Sequence, residues 1–241
     1  EDNTTGRTRD DAVVSTAEYD RRRAKLAAYV LDVLNAPDVL AVQEVEKLEV
    51  LEDLAADIAA ADATMVYSAY LEEGNDVGTI DIGFLVRDTV AVDAITQFGK
   101  DEILDFDGSL LHDRPPLLLE GRSVNEGADY PFAVLNLHNR SLGGIDDPFD
   151  GERVRQKRLE QAESIAVKVQ ALQDAGSGHR HQAVISHHHQ VRMGETDPSQ
   201  NLHPAHAWHH QVEQHQVPFI LVETQQGLDA VVCGGHFIAE G

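Results

Sequence analysis

The chain has 241 residues, 42% of them hydrophobic, and a formal charge of −23. That is enough apolar material to bury a core, so a disordered tail is excluded, and no apolar run approaches the roughly 20 residues of a membrane-spanning helix. A surface this acidic repels nucleic acid at long range, which argues against a general nucleic-acid-binding module but not against an enzyme whose bound cations meet phosphate. The single Cys233 excludes an intrachain disulfide framework and a Cys-based zinc site. Glu1 is not preceded by an initiator Met or a signal-peptide pattern, so the chain reads as processed or as a fragment. Five Lys stand against fourteen Arg, which suits a GC-rich genome.

Along the chain, helices and strands are expected to mix. Ser15-x-x-Glu18 is a capping-box signature, and Leu26, Val30, Val33 and Leu34 follow at helical spacing until Pro37. Residues 38–43 form a short apolar run that fits a buried strand. Leu48, Leu51, Leu54, Ala55 and Ile58 predict a second amphipathic helix. Strands are predicted at 64–70, 80–86, 89–97 and 132–138. Residues 99–131 read as loop-rich, with Pro115 and Pro116 limiting regular structure. A long helix over 152–174 carries Leu159, Ile165, Val169 and Leu172 along one side. Weaker strand signals lie at 182–186, 217–223 and 229–233. This mixture predicts a layered α/β arrangement. Periodicity by itself does not separate a doubly wound sheet from a four-layer sandwich.

A few polar residues interrupt these apolar runs. Glu44 follows a buried strand, where a carboxylate can hold a hard cation such as Mg²⁺; a solvated Glu at a strand-to-helix junction is the competing reading. His138 ends an apolar strand and can act as a general acid or base, or be a satisfied core histidine. Asp81 interrupts the strand Ile80–Val86, either as a buried carboxylate, costly unless paired, or as an outward-facing residue on a half-exposed strand. Arg114 can grip phosphate in a bidentate manner or form a salt bridge. Asn136 and Asn139 flank His138 and can orient a substrate or stabilise a turn. Arg153 and Arg158 read as a solvated helix face.

Five segments, in order over residues 16–176, resemble the endonuclease/exonuclease/phosphatase superfamily of DNase-I-like fold. "PDVLAVQEVE" is similar to the strand that ends in Gln-Glu. "GNDVGTIDIGFLVR", "DRPPLLLEG", "FAVLNLHNRSLGG" and "RVRQKRLEQAESIA" are similar to the family's later segments. The resemblance implies a four-layer α/β sandwich, here incomplete. It implies divalent-metal-dependent phosphodiester hydrolysis with DNA or RNA as substrate. Glu44 would hold Mg²⁺, for which Mn²⁺ or Ca²⁺ can substitute. His138 would stand beside the scissile phosphate, donating a hydrogen bond to Asp81, which would favour its protonated form. Arg114, Asn136 and Asn139 would contact substrate. The segments look most like the secreted bacterial nuclease-like branch, which implies an extracellular bacterial protein. A monomer with no membrane association and no protein partner is expected.

Parts of the family pattern are missing. The family's first strand, ending in an Asn, would precede Glu1. Where the family has Gly-Asp-Phe-Asn, this chain has Ser186-His187-His188-His189. The terminal Asp-His pair is absent, although Asp229 and His236 occur. The composition also changes: residues 1–177 hold two His, and residues 178–241 hold eleven, with eight Gln. The expected division is therefore a partial catalytic domain over 1–177 and an aberrant His/Gln-rich segment over 178–241, read as the product of a frame change or rearrangement. Two rival functions follow. One is a phosphatase acting on a small phosphoester, favoured by the negative charge. The other is an inactive scaffold or metal binder using the His-rich tail, in which His206 and His210 would share a helix face.

Overall fold

The computed structural model describes residues 14–124, 130–174, 181–186, 220–222 and 230–233. The chain order is α1 (Thr16–Asp32), β1 (Val39–Val45), α2 (Leu48–Ala61), β2 (Tyr67–Leu71), β3 (Asp81–Arg87), β4 (Val90–Gln97), β5 (Leu117–Ser123), β6 (Tyr130–Leu137), α3 (Gly151–Asp174), β7 (His181–Ser186), β8 (Ile220–Val222) and β9 (Ala230–Cys233). The expected capping box is present at its first half: the Ser15 side chain accepts a hydrogen bond from the Glu18 backbone N–H at 3.3 Å. The helix ends at Asp32, earlier than the Pro37 stop predicted, and Asn35 and Ala36 turn the chain with positive φ. Leu34 is nevertheless buried, while Val33 is exposed.

Two sheets form. The first runs β2-β3-β1-β9-β8 and is antiparallel throughout. The second runs β4-β5-β6-β7, antiparallel except for the parallel pair β6-β7. A parallel neighbour needs a long crossover, and α3 supplies it. The strands beyond residue 177 thus add to both sheets.

Alternate residues of each strand decide the layering, because successive side chains point to opposite faces. In β1, Leu40 and Val42 face α1 and α2 in one core, with Leu51, Leu54 and Ile58. Val39 and Ala41 face the other way and join Ile82, Phe84, Leu117, Leu119, Phe132 and Val134 between the sheets. Leu118, Ala133, Leu135 and Leu137 of the second sheet pack under Ile165, Val169 and Leu172 of α3. The result is four layers: helices, sheet, sheet, helix. Strands covered on both faces read as continuous apolar runs rather than alternating ones. This is the sandwich, not the doubly wound alternative.

Two expectations are corrected. β5 lies inside the stretch expected to be loop-rich; Leu117-Leu118-Leu119 follows the two prolines directly and is buried on both faces. The inner side of α3 is more polar than predicted. Leu159 is exposed, whereas Val154, Lys157, Gln161 and Ile165 are buried. Lys157 meets Asp113 at 2.8 Å. Gln161 donates to the Leu111 carbonyl and accepts from the Arg140 N–H. Arg153 pairs with Asp107, and Arg158 donates to the Arg140 carbonyl. These two arginines therefore hold loops in place and are not merely a solvated face. α3 fastens both the 99–114 loop and the loop after β6, a role no apolar stripe could fill.

Candidate active site

The first sheet ends at a defect. β1 pairs with β3 in register through Gln43, then shifts so that Val45 lies opposite Asp81, leaving Glu44 as the extra residue. Glu44 sits there with φ +56°, in the left-handed region that a non-glycine residue occupies only at an energetic cost. Bulges and strained residues of this kind gather at functional sites because they re-aim a side chain. Here the bulge leaves Glu44 partly exposed in an otherwise buried strand.

The second sheet brings His138 to the same place. His138 follows the last residue of β6, and its side chain is 7% exposed. Its Nε2 stands 3.3 Å from Glu44 Oε1. The two strands belong to different sheets, so only the stacking of the sheets creates this pair.

Two buried amides lie immediately behind it. Gln43 and Asn136 are both 0% exposed. Gln43 Nε2 donates to the Leu137 carbonyl at 2.7 Å and to Asn136 Oδ1 at 3.3 Å. Asn136 Nδ2 donates to the carbonyls of Val42 at 3.0 Å and Gly83 at 3.1 Å. Asn136, read from sequence as a substrate contact, is thus placed between the sheets. Gln43 was passed over although it stands in the Gln-Glu pair; its signal was an amide in a run of otherwise apolar residues.

Asp81 begins β3 and is 3% exposed. Its Oδ1 accepts the Gly74 backbone N–H at 2.7 Å. Gly74 is required there, since a Cβ would come within 2.5 Å of that oxygen and 2.9 Å of Pro115 Cδ. Burial, with the Glu73 and Asp76 carboxylates nearby, pushes the Asp81 carboxyl up to about 6. A folded-state value above the unfolded one means that the protonated form is favoured by folding. The associated stability is present below about pH 4 and is lost as pH rises through about 6. Asp81→Asn keeps an acceptor for Gly74 and removes the charge. In metal-free buffer it should raise stability by on the order of 2 kcal/mol at pH 7.5, and by little at pH 4. Urea unfolding at the two pH values checks this; equal effects at both would refute the buried-acid account.

Arg114 is half-buried and paired with Asp76, so its guanidinium meets a carboxylate at the position expected to grip phosphate. Asp76 also caps its own loop, accepting from Gly78 N–H. Asn75 ties that loop to the next, donating its backbone N–H to the Asp113 carbonyl and its side-chain amide to His112 and Lys100 carbonyls. Asn139 follows His138 directly and is half-buried. His112, not singled out beforehand, is 1% exposed beside Glu102 at 3.5 Å, and burial lowers its pKa.

Among the described residues no group of three His, Cys, Asp or Glu side chains converges on a point. Glu44 is a partly exposed carboxylate at the end of a buried strand, and carboxylate oxygen is the donor a hard divalent cation takes. The positions aligned with Gly-Asp-Phe-Asn beyond Ser186, and Asp229 and His236, lie outside the described residues.

No protein-family model and no curated protein matches the chain. Solved structures do. Truncated Caenorhabditis elegans TDP2 is similar over 68% of this chain and 52% of its own, at 21% identity and TM-score 0.43. An endonuclease/exonuclease/phosphatase from Bacteroides vulgatus is similar over 71% and 59%, at 18% identity and TM-score 0.43. The human Nocturnin catalytic domain with bound sulfate anion is similar over 70% and 57%, at 13% identity and TM-score 0.40. The chain spans little more than half of each.

Proposed function

We propose that this chain is a member of the endonuclease/exonuclease/phosphatase superfamily and hydrolyses phosphodiester bonds with a divalent metal ion, nucleic acid being the substrate. The observation that carries this reading is the convergence of Glu44 and His138, from different sheets, at 3.3 Å. Glu44 would hold Mg²⁺. When bound there, the ion supplies positive charge against the phosphate oxygens and a water of lowered pKa. His138, whose Nε2 lies 3.3 Å from Glu44 Oε1, would stabilise the phosphorane charge or protonate the leaving oxygen. Asp81 lies at the start of the neighbouring strand, opposite Val45. Arg114, shared with Asp76, is the secondary phosphate contact. Asn139, half-buried in the loop after β6, would be a further substrate contact. The five ordered sequence segments support the same assignment.

A second reading has its own support. The charge of −23 opposes the approach of a polyanion and favours a small phosphoester. Supercoiled plasmid, an RNA oligonucleotide and p-nitrophenyl phosphate, each with Mg²⁺ or EDTA, separate the two. Nicking or RNA cleavage that EDTA stops is the expected result. Turnover of the small ester only would transfer the assignment to the phosphatase reading. No turnover of any of the three, with no effect of Mg²⁺ on thermal unfolding, would overturn both.

A further inference from the structure

We propose that Gln43 and Asn136 are positioning residues: an amide clamp between the two sheets that sets the distance from Glu44 to His138. This rests on the hydrolase reading for its catalytic consequence. The geometric part stands on its own.

The clamp is reciprocal. Each amide reaches across the interface and takes hold of the other sheet. Gln43 of the first sheet donates to the Leu137 carbonyl of the second. Asn136 of the second sheet donates to two carbonyls of the first, Val42 and Gly83. The amides also bond each other. Gln43 is the residue before Glu44, and Leu137 is the residue before His138. The bonds therefore fix the two backbone positions from which the functional side chains leave.

Stability does not account for the pair. Its surroundings between the sheets are apolar: Ala41, Ile82, Phe84, Leu117 and Leu119. Hydrogen-bonded amides in such a place gain only about 1 kcal/mol per bond over their bonds to water, and apolar groups of similar shape do as well. Among the described residues Gln43 Oε1 has no partner at all, which costs about 1–3 kcal/mol. Apolar packing is tolerant of small slides between sheets. Directed bonds to specific carbonyls are not. What the amides add is register at one end of the sandwich, the end that carries Glu44 and His138.

The test compares the parent with Gln43→Met/Asn136→Leu, each with and without Glu44→Gln, without metal. The readout is the His138 imidazole resonance, identified by its loss in His138→Asn. In the parent, Glu44→Gln should shift that resonance, because a carboxylate 3.3 Å away becomes neutral. In the clamp-free protein the same substitution should shift it by less than half as much, while thermal stability stays close to the parent's. Hydrolysis, where present, should fall about 10²-fold in kcat with little change in KM, the signature of misplacement by about 1 Å. An unchanged Glu44-induced shift without the clamp would overturn the proposal. Should the double variant fail to fold, Gln43→Met alone keeps both Asn136 bonds to the first sheet and must show the same loss in part. A parent without hydrolysis or Mg²⁺ response refutes the hydrolase reading, and the resonance comparison still decides the clamp.

Discussion

Glu44→Gln should lower phosphoester turnover by about 10³-fold and remove the effect of Mg²⁺ on thermal unfolding, with folding stability within about 1 kcal/mol of the parent. The amide keeps the side chain's size and its acceptor oxygen but not the charge that holds a hard cation. The backbone makes a second variant informative. At φ +56° the residue occupies a conformation that glycine adopts freely. Glu44→Gly should therefore lose the metal response equally while gaining roughly 0.5–1 kcal/mol in stability. Isothermal titration with Mg²⁺ and urea unfolding of the same preparations check both statements. A Glu44→Gln enzyme as active as the parent would remove Glu44 from the metal site. A Glu44→Gly protein less stable than the parent would show that the bulge is not strained.

The largest structural effect is expected at Phe84. Phe84→Ala should cost about 3–5 kcal/mol, measured as a lower urea midpoint with an unchanged slope. Phe84 is 0% exposed and stands on the inner face of β3, paired with Ala41 and Tyr70 in the flanking strands. It fills the space between the sheets against Leu117, Leu119 and Val134. Truncation removes its transfer free energy and leaves a void that two hydrogen-bonded sheets cannot close. A loss under about 1 kcal/mol would mean that the sheets are not packed on this residue. Because the same interface presents Glu44 to His138, loss of hydrolysis in this variant should accompany any loosening of the fold.

Much of the scaffold was legible in the sequence. Ser15-x-x-Glu18 marked the start of α1, and the leucines from Leu48 to Leu54, with Ile58, marked α2, because capping and a 3.6-residue period depend on near neighbours. The strands predicted at 38–43, 80–86 and 132–138 were visible as apolar runs and are found at Val39–Val45, Asp81–Arg87 and Tyr130–Leu137. β5 was not, since Pro115 and Pro116 directly before its apolar run suggested a loop. The inner face of α3 was misread for a related reason. Lys157 and Gln161 are buried because loops supply Asp113, Leu111 and Arg140 as partners, and nothing in the helix's own sequence reveals those partners.

For the candidate site the same division holds. Sequence alone determined which side chains carry usable chemistry, Glu44 and His138 among them, and that each would sit at the end of a buried strand. Gln43 was not singled out from the sequence, and Asn136 was read there only as a substrate or turn residue. Only the stacking of the two sheets decided that Glu44 and His138 face each other, that the amides bond across the interface and that Asp81 is buried beside Gly74. The reason is physical. Local periodicity is set by backbone geometry within a few residues, whereas contacts between strands of different sheets arise from packing, which joins residues distant in the chain.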